Sequence, residues 1–232
     1  MINKLKNKLI VSCQAVDDEP LNDSLVIAKM AYACQVGGAQ VLRLSQAEHI
    51  KEVKKLINVP IIGLIKQHYL DSEVYITPTI AEVRNLVALN VDIIALDATL
   101  RIRAGGQTLG QLFGKIKAEF PKQLLMADCS TILEMQNAQE LGFDFVSTTL
   151  RGYTNATINQ NNIEKDYEFI KAAQKVIKIP LIVEGGIWDP QTAKEILQLG
   201  VHAIVVGGAI TRPQLIVKHW LEKIFAEKKE DA

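Results

Sequence analysis

Pro180–Pro213 reads PLIVEGGIWDPQTAKEILQLGVHAIVVGGAITRP, and its hydrophobic rhythm changes from segment to segment. Leu181–Val183 and Ala203–Val206 are short apolar runs rich in β-branched residues, with a glycine pair close behind each, as buried strands have. Between them Ile196, Leu197 and Leu199 mark a compact amphipathic helix, opened by Asp189-Pro190 as cap and first-turn proline. The second strand runs into Gly207-Gly208, where backbone N–H groups bare of side chains approach an anion closely. Thr211 and Gln214 stand in capping-box spacing for a closing helix, with Arg212 between them. In a closed parallel barrel, the loops after strands 7 and 8 are a frequent phosphate site. Glu184, at the C-terminal tip of the first strand, is placed for chemistry rather than packing. The stretch reads as a phosphate grip beside a catalytic carboxylate.

Working outward, the same unit repeats. Strand-like runs occur at Leu9–Cys13, Val41–Leu44, Ile61–Ile65, Ile93–Leu96, Leu124–Ala127 and Phe145–Thr148, making eight with the two above. Helical patterns fall near Leu25–Gln35, Ala47–Leu56, Ala81–Leu89, Gly110–Glu119, Ile132–Leu141, Lys165–Ile177 and Pro190–Leu199, with an eighth from Pro213 to about Ala226. Near-continuous apolar strands mean that both faces are covered, as a parallel sheet requires. Several helices end in glycine or asparagine just before a strand: Gly37-Gly38, Asn58, Asn90, Gly142 and Gly200. This regular alternation predicts an α/β fold of the (β/α)₈ TIM-barrel type, with eight parallel strands. No linker or shift of composition interrupts it, so residues 1–232 are expected to form one domain. Glu227–Ala232 reads as a frayed, solvated tail.

Composition bounds the function. Hydrophobic residues make up 48% of 232, enough for one large core, and 26 basic against 26 acidic residues leave no net charge. No basic field is present to attract nucleic acid, and no apolar run approaches the ~20 residues that cross a membrane. The opening MINKLKNKLIVSCQ places lysines before an apolar stretch, but that stretch is too short for a signal peptide and reads as the first strand. Cys13, Cys34 and Cys129 lack CxxC spacing and fit reduced thiols in a cytoplasmic protein.

Active-site groups of such a barrel come from the C-terminal ends of its strands. Those positions hold Gln14, Arg43, Lys66, Asp97, Asp128, Thr148-Thr149, Glu184 and Gly207-Gly208. A polar residue has to appear wherever a strand ends, so one such position means little. A lysine, an arginine and three carboxylates on one rim mean more, because buried charge is tolerated only when paired or functional. Lys66 is the most pointed of them. An apolar barrel mouth and Arg43 both disfavour its charged form and favour an amine base, whereas a structural ion pair with Asp97 or Asp128 is the competing reading. None of the four histidines stands at a strand tip, and the strand-tip lysine and arginine argue against a carboxylate Mg²⁺ site, so no metal is expected. Thr79–Glu82 matches a capping box, a structural device. Tyr69 and Tyr153 are candidates for lining a sugar pocket or for ordinary packing.

VSCQA (11–15), GLIKQHY (63–69), YITPT (75–79), IIALDAT (93–99), MADCST (126–131), STTLRGYT (147–154), VEGGI (183–187) and VVGGAITRP (205–213) occur together and in order. With these, nearly the whole chain resembles the N-acetylmannosamine-6-phosphate 2-epimerases of bacterial sialic acid catabolism. The resemblance implies a (β/α)₈ fold and interconversion of N-acetylmannosamine 6-phosphate with N-acetylglucosamine 6-phosphate by proton removal and return at C2, without a cofactor. It puts the catalytic lysine at Lys66 and the catalytic glutamate at Glu184. Gln14, Arg43 and Asp128 are implied as substrate-holding residues, with Asp97 added from its strand tip. Gly207, Gly208 and Arg212 are implied as the phosphate loop, joined by the Gly186 N–H. The chain departs from the pattern at Gly186, where many relatives have a basic or amide side chain, at Arg151 in place of serine, and at Ala104 in place of proline. Arg151 is a candidate replacement for the lost positive charge. A different phosphosugar epimerase on a similar barrel and a non-catalytic phosphosugar-binding module remain the alternatives. The expected partner is a small phosphorylated amino sugar, and oligomeric state is open, with a homodimer as the expectation.

Overall fold

The computed structural model describes residues 1–16 and 18–225. Eight parallel strands close in sequence order: β1 (Lys8–Cys13), β2 (Leu42–Ser45), β3 (Ile61–Leu64), β4 (Ile93–Asp97), β5 (Leu124–Asp128), β6 (Phe145–Ser147), β7 (Leu181–Glu184) and β8 (Ala203–Val206), which pairs back onto β1. The (β/α)₈ expectation is therefore met. The helices expected between strands are present, each within a few residues of the bounds read from sequence: α2 (Ser24–Val36), α3 (Ala47–Val53), α4 (Ile80–Ala88), α5 (Leu109–Glu119), α6 (Ile132–Leu141), α7 (Glu164–Val176) and α8 (Pro190–Gln198). Thr79 and Glu82 form the expected capping box of α4, and Asp189 caps α8 with Pro190 in its first turn.

Strand alternation sorts the core into two shells. Leu42, Leu44, Ile94, Leu96, Val183 and Ile204 point outward and pack against the helices. Ile10, Ile62, Ile93, Met126, Phe145 and Ile182 fill the barrel itself. The inner column stays apolar at the bottom and turns polar at the top of every strand except β3 and β8. That parity carries Arg43, Asp97, Asp128, Ser147 and Glu184 to the C-terminal rim, so the rim is polar and the barrel below it dry.

Three features were not expected. Helix α1 (Ile2–Leu5) precedes β1 and plugs the N-terminal mouth with the fully buried Leu5. A short helix, α9 (Gly208–Thr211), follows β8 directly. Helix α10 (Pro213–Ile224) lies where a covering helix was expected, yet none of its residues is buried. Arg212 leaves helical geometry between α9 and α10, and Pro213 restarts the chain in a new direction. An apolar groove of about 710 Å³, lined by Leu9, Leu197, Ile204, Val206 and Ile210, therefore lies open along β8 and β1. The expected capping box at Thr211 and Gln214 is a correction. Thr211 Oγ1 donates to the carbonyls of Ser12 and Gly207, and Gln214 donates to Glu19. Ala226, expected as the helix end, and the expected frayed tail lie outside the described residues.

Candidate active site

Lys66 stands two residues beyond β3, and its backbone is held on both sides. Its N–H donates to Gln46 Oε1 at 2.9 Å, Gln46 Nε2 donates to its carbonyl at 3.2 Å, and an antiparallel bridge ties it to Ile76. Gly63 below it has no room for a side chain, since a Cβ there would lie 2.9 Å from Val91 Cγ1. Among the described residues no carboxylate lies within ion-pair distance of Lys66 Nζ. Burial, then the positive charges of Arg212 and Arg43, lower its pKa to about 8, against the smaller pull of Glu184 and Glu19. A lysine unpaired in this way carries a working fraction of free amine near neutral pH.

Arg43, on β2, is almost fully buried and chelates Asp128, with Nη1 to Oδ1 at 3.2 Å and Nη2 to Oδ2 at 2.7 Å. Its Nε also lies 3.2 Å from Glu184 Oε2, a charge contact whose angle falls short of a hydrogen bond. Burial alone would weaken the guanidinium, but Asp128 and then Glu184 outweigh it, so Arg43 remains charged. The backbone of Glu184 is clamped by Thr148 Oγ1 and Asn162 Nδ2, which donate to its carbonyl at 2.8 and 2.6 Å. Burial pushes its carboxyl pKa up, partly offset by Arg43. One charged guanidinium thus joins two carboxyl groups, Asp128 and Glu184, and burial raises the pKa of the second.

The glycine pairs line the same cavity. Gly185 and Gly186 adopt φ of +103° and +79°, conformations that favour glycine, and they turn the chain after β7. A Cβ on Gly207 would come within 3.2 Å of Ser12 Cβ, tighter than an ordinary contact, so a side chain there would press on β1. Among the described residues the N–H groups of Gly186 and Gly208 meet no protein acceptor. Arg212 Nη2 pairs with Glu19 at 3.2 Å, and Gln14 Nε2 donates to Ser12 Oγ at 2.9 Å.

These groups surround a cavity of about 240 Å³ at the C-terminal mouth of the barrel. Of the residues expected at the site, Gln14, Arg43, Lys66, Glu184, Gly186, Gly207, Gly208 and Arg212 line it. Asp97 and Asp128 do not. Asp128 acts one layer back, through Arg43 and Thr149. Asp97 was expected to hold substrate, but it is closed off by its own loop. It accepts from the Thr99 N–H and hydroxyl at 2.9 and 2.7 Å and from Arg101 at 2.7 Å, and Arg103 donates to its carbonyl. Among the described residues no group of three His, Cys, Asp or Glu side chains is placed to hold a metal, and no helix is long and apolar enough to cross a membrane.

The comparisons with known proteins agree with one another. The family model described as "Putative N-acetylmannosamine-6-phosphate epimerase" matches residues 27–226. The chain belongs to this epimerase family. It is 65% identical to a protein of Mycoplasma mycoides over 97% of its own length and 99% of the relative's, and 53% identical to one of Malacoplasma penetrans over 97% of each, both named as N-acetylmannosamine-6-phosphate 2-epimerases under the same qualifier. The solved N-acetylmannosamine-6-phosphate 2-epimerase of Clostridium perfringens superposes with a TM-score of 0.90 at 45% identity, covering 96% of each chain. A thiamine phosphate pyrophosphorylase of Pyrococcus furiosus, at TM-score 0.58 and 15% identity, shares the fold alone.

As a member of the epimerase family, the chain handles its departures locally. Arg151 does not replace a charge at Gly186. Its guanidinium lies over the Phe169 ring, 3.6 Å from the centroid, and Nε donates to the Asn161 carbonyl. Gly186 has open space where a Cβ would stand, and Ala104 sits in a short 3₁₀ turn away from the cavity. Of the two loop tyrosines, Tyr153 lines the cavity, whereas Tyr69 donates to Glu82 at 2.9 Å. Sequence reasoning missed Tyr75 and Trp188, which also line it. Tyr75 had a signal, its place in YITPT nine residues after Lys66. Trp188 had none, because its stacking on His219 of α10 joins segments far apart in sequence.

Proposed function

We propose that this chain interconverts N-acetylmannosamine 6-phosphate and N-acetylglucosamine 6-phosphate as a phosphosugar 2-epimerase. The observation that carries the reading is an unpaired, half-buried lysine in the same small cavity as an arginine-held carboxyl group and a glycine cradle. Once the sugar ring opens, the C1 aldehyde acidifies the C2–H. The Lys66 amine takes that proton, and the electron pair moves into the C1 carbonyl, giving an enolate whose oxygen needs a nearby donor. Arg43 supplies a fixed positive charge, and Glu184 moves a proton to and from oxygen. Return of a proton to the other face of C2 gives the epimer. Phosphate on the Gly186, Gly207 and Gly208 backbone and Arg212, with Gln14 beside it, anchors the sugar far from the reacting carbon and orients it. Asp128 serves by holding Arg43. Asp97, lying outside the cavity, serves the rim's stability.

Because the amine is the working form, kcat/KM rises with pH through an inflection near 8 as free Lys66 loses its proton. Proton NMR of the protein with either sugar phosphate tests the reading: both epimers should appear from both directions, with or without a chelator. Binding without conversion would leave a sugar-binding module, and a chelator-sensitive reaction would mark a different epimerase.

The proposal extends to a cytoplasmic homodimer. Val217, Trp220, Leu221 and Phe225 are exposed along α10, and the apolar groove beside β8 is open, so a second copy has apolar surface to cover. Sedimentation equilibrium should give twice the chain mass, and a monomer at micromolar concentration would contradict it.

A further inference from the structure

Thr149 was noted at its strand end but given no role, and the structure crowds its hydroxyl. Three oxygens surround Oγ1: Asp128 Oδ1 at 2.8 Å, Ser147 Oγ at 2.8 Å and Glu184 Oε2 at 3.0 Å. A hydroxyl has one proton to give and two lone pairs to receive. Ser147 is fully buried, and its Oγ has no other hydrogen-bond partner among the described residues, so its proton goes to Thr149. Thr149 then has one proton for two carboxyl groups. Asp128 receives two hydrogen bonds from the Arg43 guanidinium, so it has no proton of its own to offer in that pairing, and it is the nearer of the two. The remaining lone pair of Thr149 faces Glu184. Thr149 can share its proton between the two carboxyl groups, but the contact is satisfied in full when Glu184 carries a proton and donates it.

We propose that Thr149 is a positioning residue that keeps one shared proton on Glu184, accepting from its carboxyl while donating to Asp128, and so leaves Lys66 as the free amine. The proposal rests on the reading of Lys66 as the C2 base. Charge balance is unchanged by it. With Arg43 positive and Asp128 negative, Lys66 ammonium with Glu184 carboxylate and Lys66 amine with Glu184 acid both sum to zero, and only the second is ready to react. The charged groups facing Lys66 are Arg212 and Arg43, which repel its proton, and Glu184 and Glu19, which hold it. Those facing Glu184 are Arg43, Asp128 and Lys66. Protonating Glu184 removes the larger of the two attractions that hold the Lys66 proton. Burial of Glu184, the largest influence on it, acts in the same direction, as does Asp128, against Arg43, Lys66 and any proton donated by Thr149, which favour the carboxylate.

The test is the pH profile of kcat/KM for wild type, Thr149→Val and Thr149→Ser. Valine fills the same space without a lone pair. Glu184 then ionises more readily, Lys66 retains its proton to higher pH, and the acid-side inflection moves up by about one unit, costing about tenfold below it and little above. Serine keeps the hydroxyl and returns the inflection to the wild-type position. A purely structural role would lower kcat/KM evenly at every pH. An inflection unmoved in the valine variant, or displaced equally in the serine variant, overturns the proposal. Infrared spectroscopy of the free wild-type protein at neutral pH gives a second check that needs no Thr149 variant. A protonated-carboxyl stretch that vanishes in Glu184→Gln is expected, and its absence from wild type overturns the proposal. Failure of the underlying reading looks different: wild type that does not epimerise, or Lys66→Met that retains the wild-type profile.

Discussion

Asp97 and Asp128 end neighbouring strands, pair with each other in register and are both fully buried beside arginine. Their surroundings differ in what the partners do next. Asp128 holds Arg43 and Thr149, and both line the cavity. Asp97 holds Thr99 and Arg101, and neither lines it. A buried carboxylate at a barrel rim is therefore not a site residue by position alone. What decides is whether the groups it fixes face the space where substrate sits. Under the proposed function the Asp128 side serves turnover, while the Asp97 side holds the loop after β4.

Four substitutions sharpen that contrast. Lys66→Met should be the most severe, lowering kcat by about 10⁴-fold while substrate still binds, since it removes the base and keeps the length. Glu184→Gln keeps the shape but removes proton exchange, and kcat should fall by about 10²-fold; a change in KM alone would make Glu184 a binding group. Gly208→Val should raise KM for the phosphorylated sugar by roughly tenfold, the worth of about one hydrogen bond to a charged group. A Cβ there meets only Leu215 and Trp188 at 3.4 Å or more, so the fold should survive, and unchanged kinetics would remove the phosphate assignment. Asp97→Asn should leave kcat and KM within about twofold of wild type but cost about 2 kcal/mol, lowering Tm by roughly 4–8 °C. A raised KM with unchanged Tm would return Asp97 to the substrate and erase the contrast.

Much of this was legible from the chain, for identifiable reasons. Apolar runs of three to five residues between capped amphipathic helices specify a parallel barrel, and strand parity then fixes which residues reach the rim. From Phe145 inward, the same parity selects Ser147 and Thr149, so Thr149 was accessible to reading by twos; its hydroxyl count was not. The sealing of Asp97 was illegible because Arg101 and Arg103 read as loop charges until the loop is seen folded over the strand end. The exposure of α10 was equally hidden. Its apolar residues at helical spacing read as a buried face, yet Val217, Trp220, Leu221 and Ile224 are exposed. The left-handed turn at Lys165–Tyr167, which opens α7, has no sequence signal, since none of the three is glycine or asparagine.

The central claim is that the Lys66 amine removes the C2 proton, and isotope exchange addresses it most directly. N-acetylmannosamine 6-phosphate is incubated in D₂O with wild type and with Lys66→Met, and C2 of both sugars is followed by NMR. Wild type should wash deuterium into C2 of both epimers, because the abstracted proton exchanges with solvent before it returns. Lys66→Met should bind the sugar and show neither exchange nor epimerisation. Exchange at the wild-type rate in that variant would contradict the claim and move the base elsewhere on the rim, with Glu184 the first residue to examine.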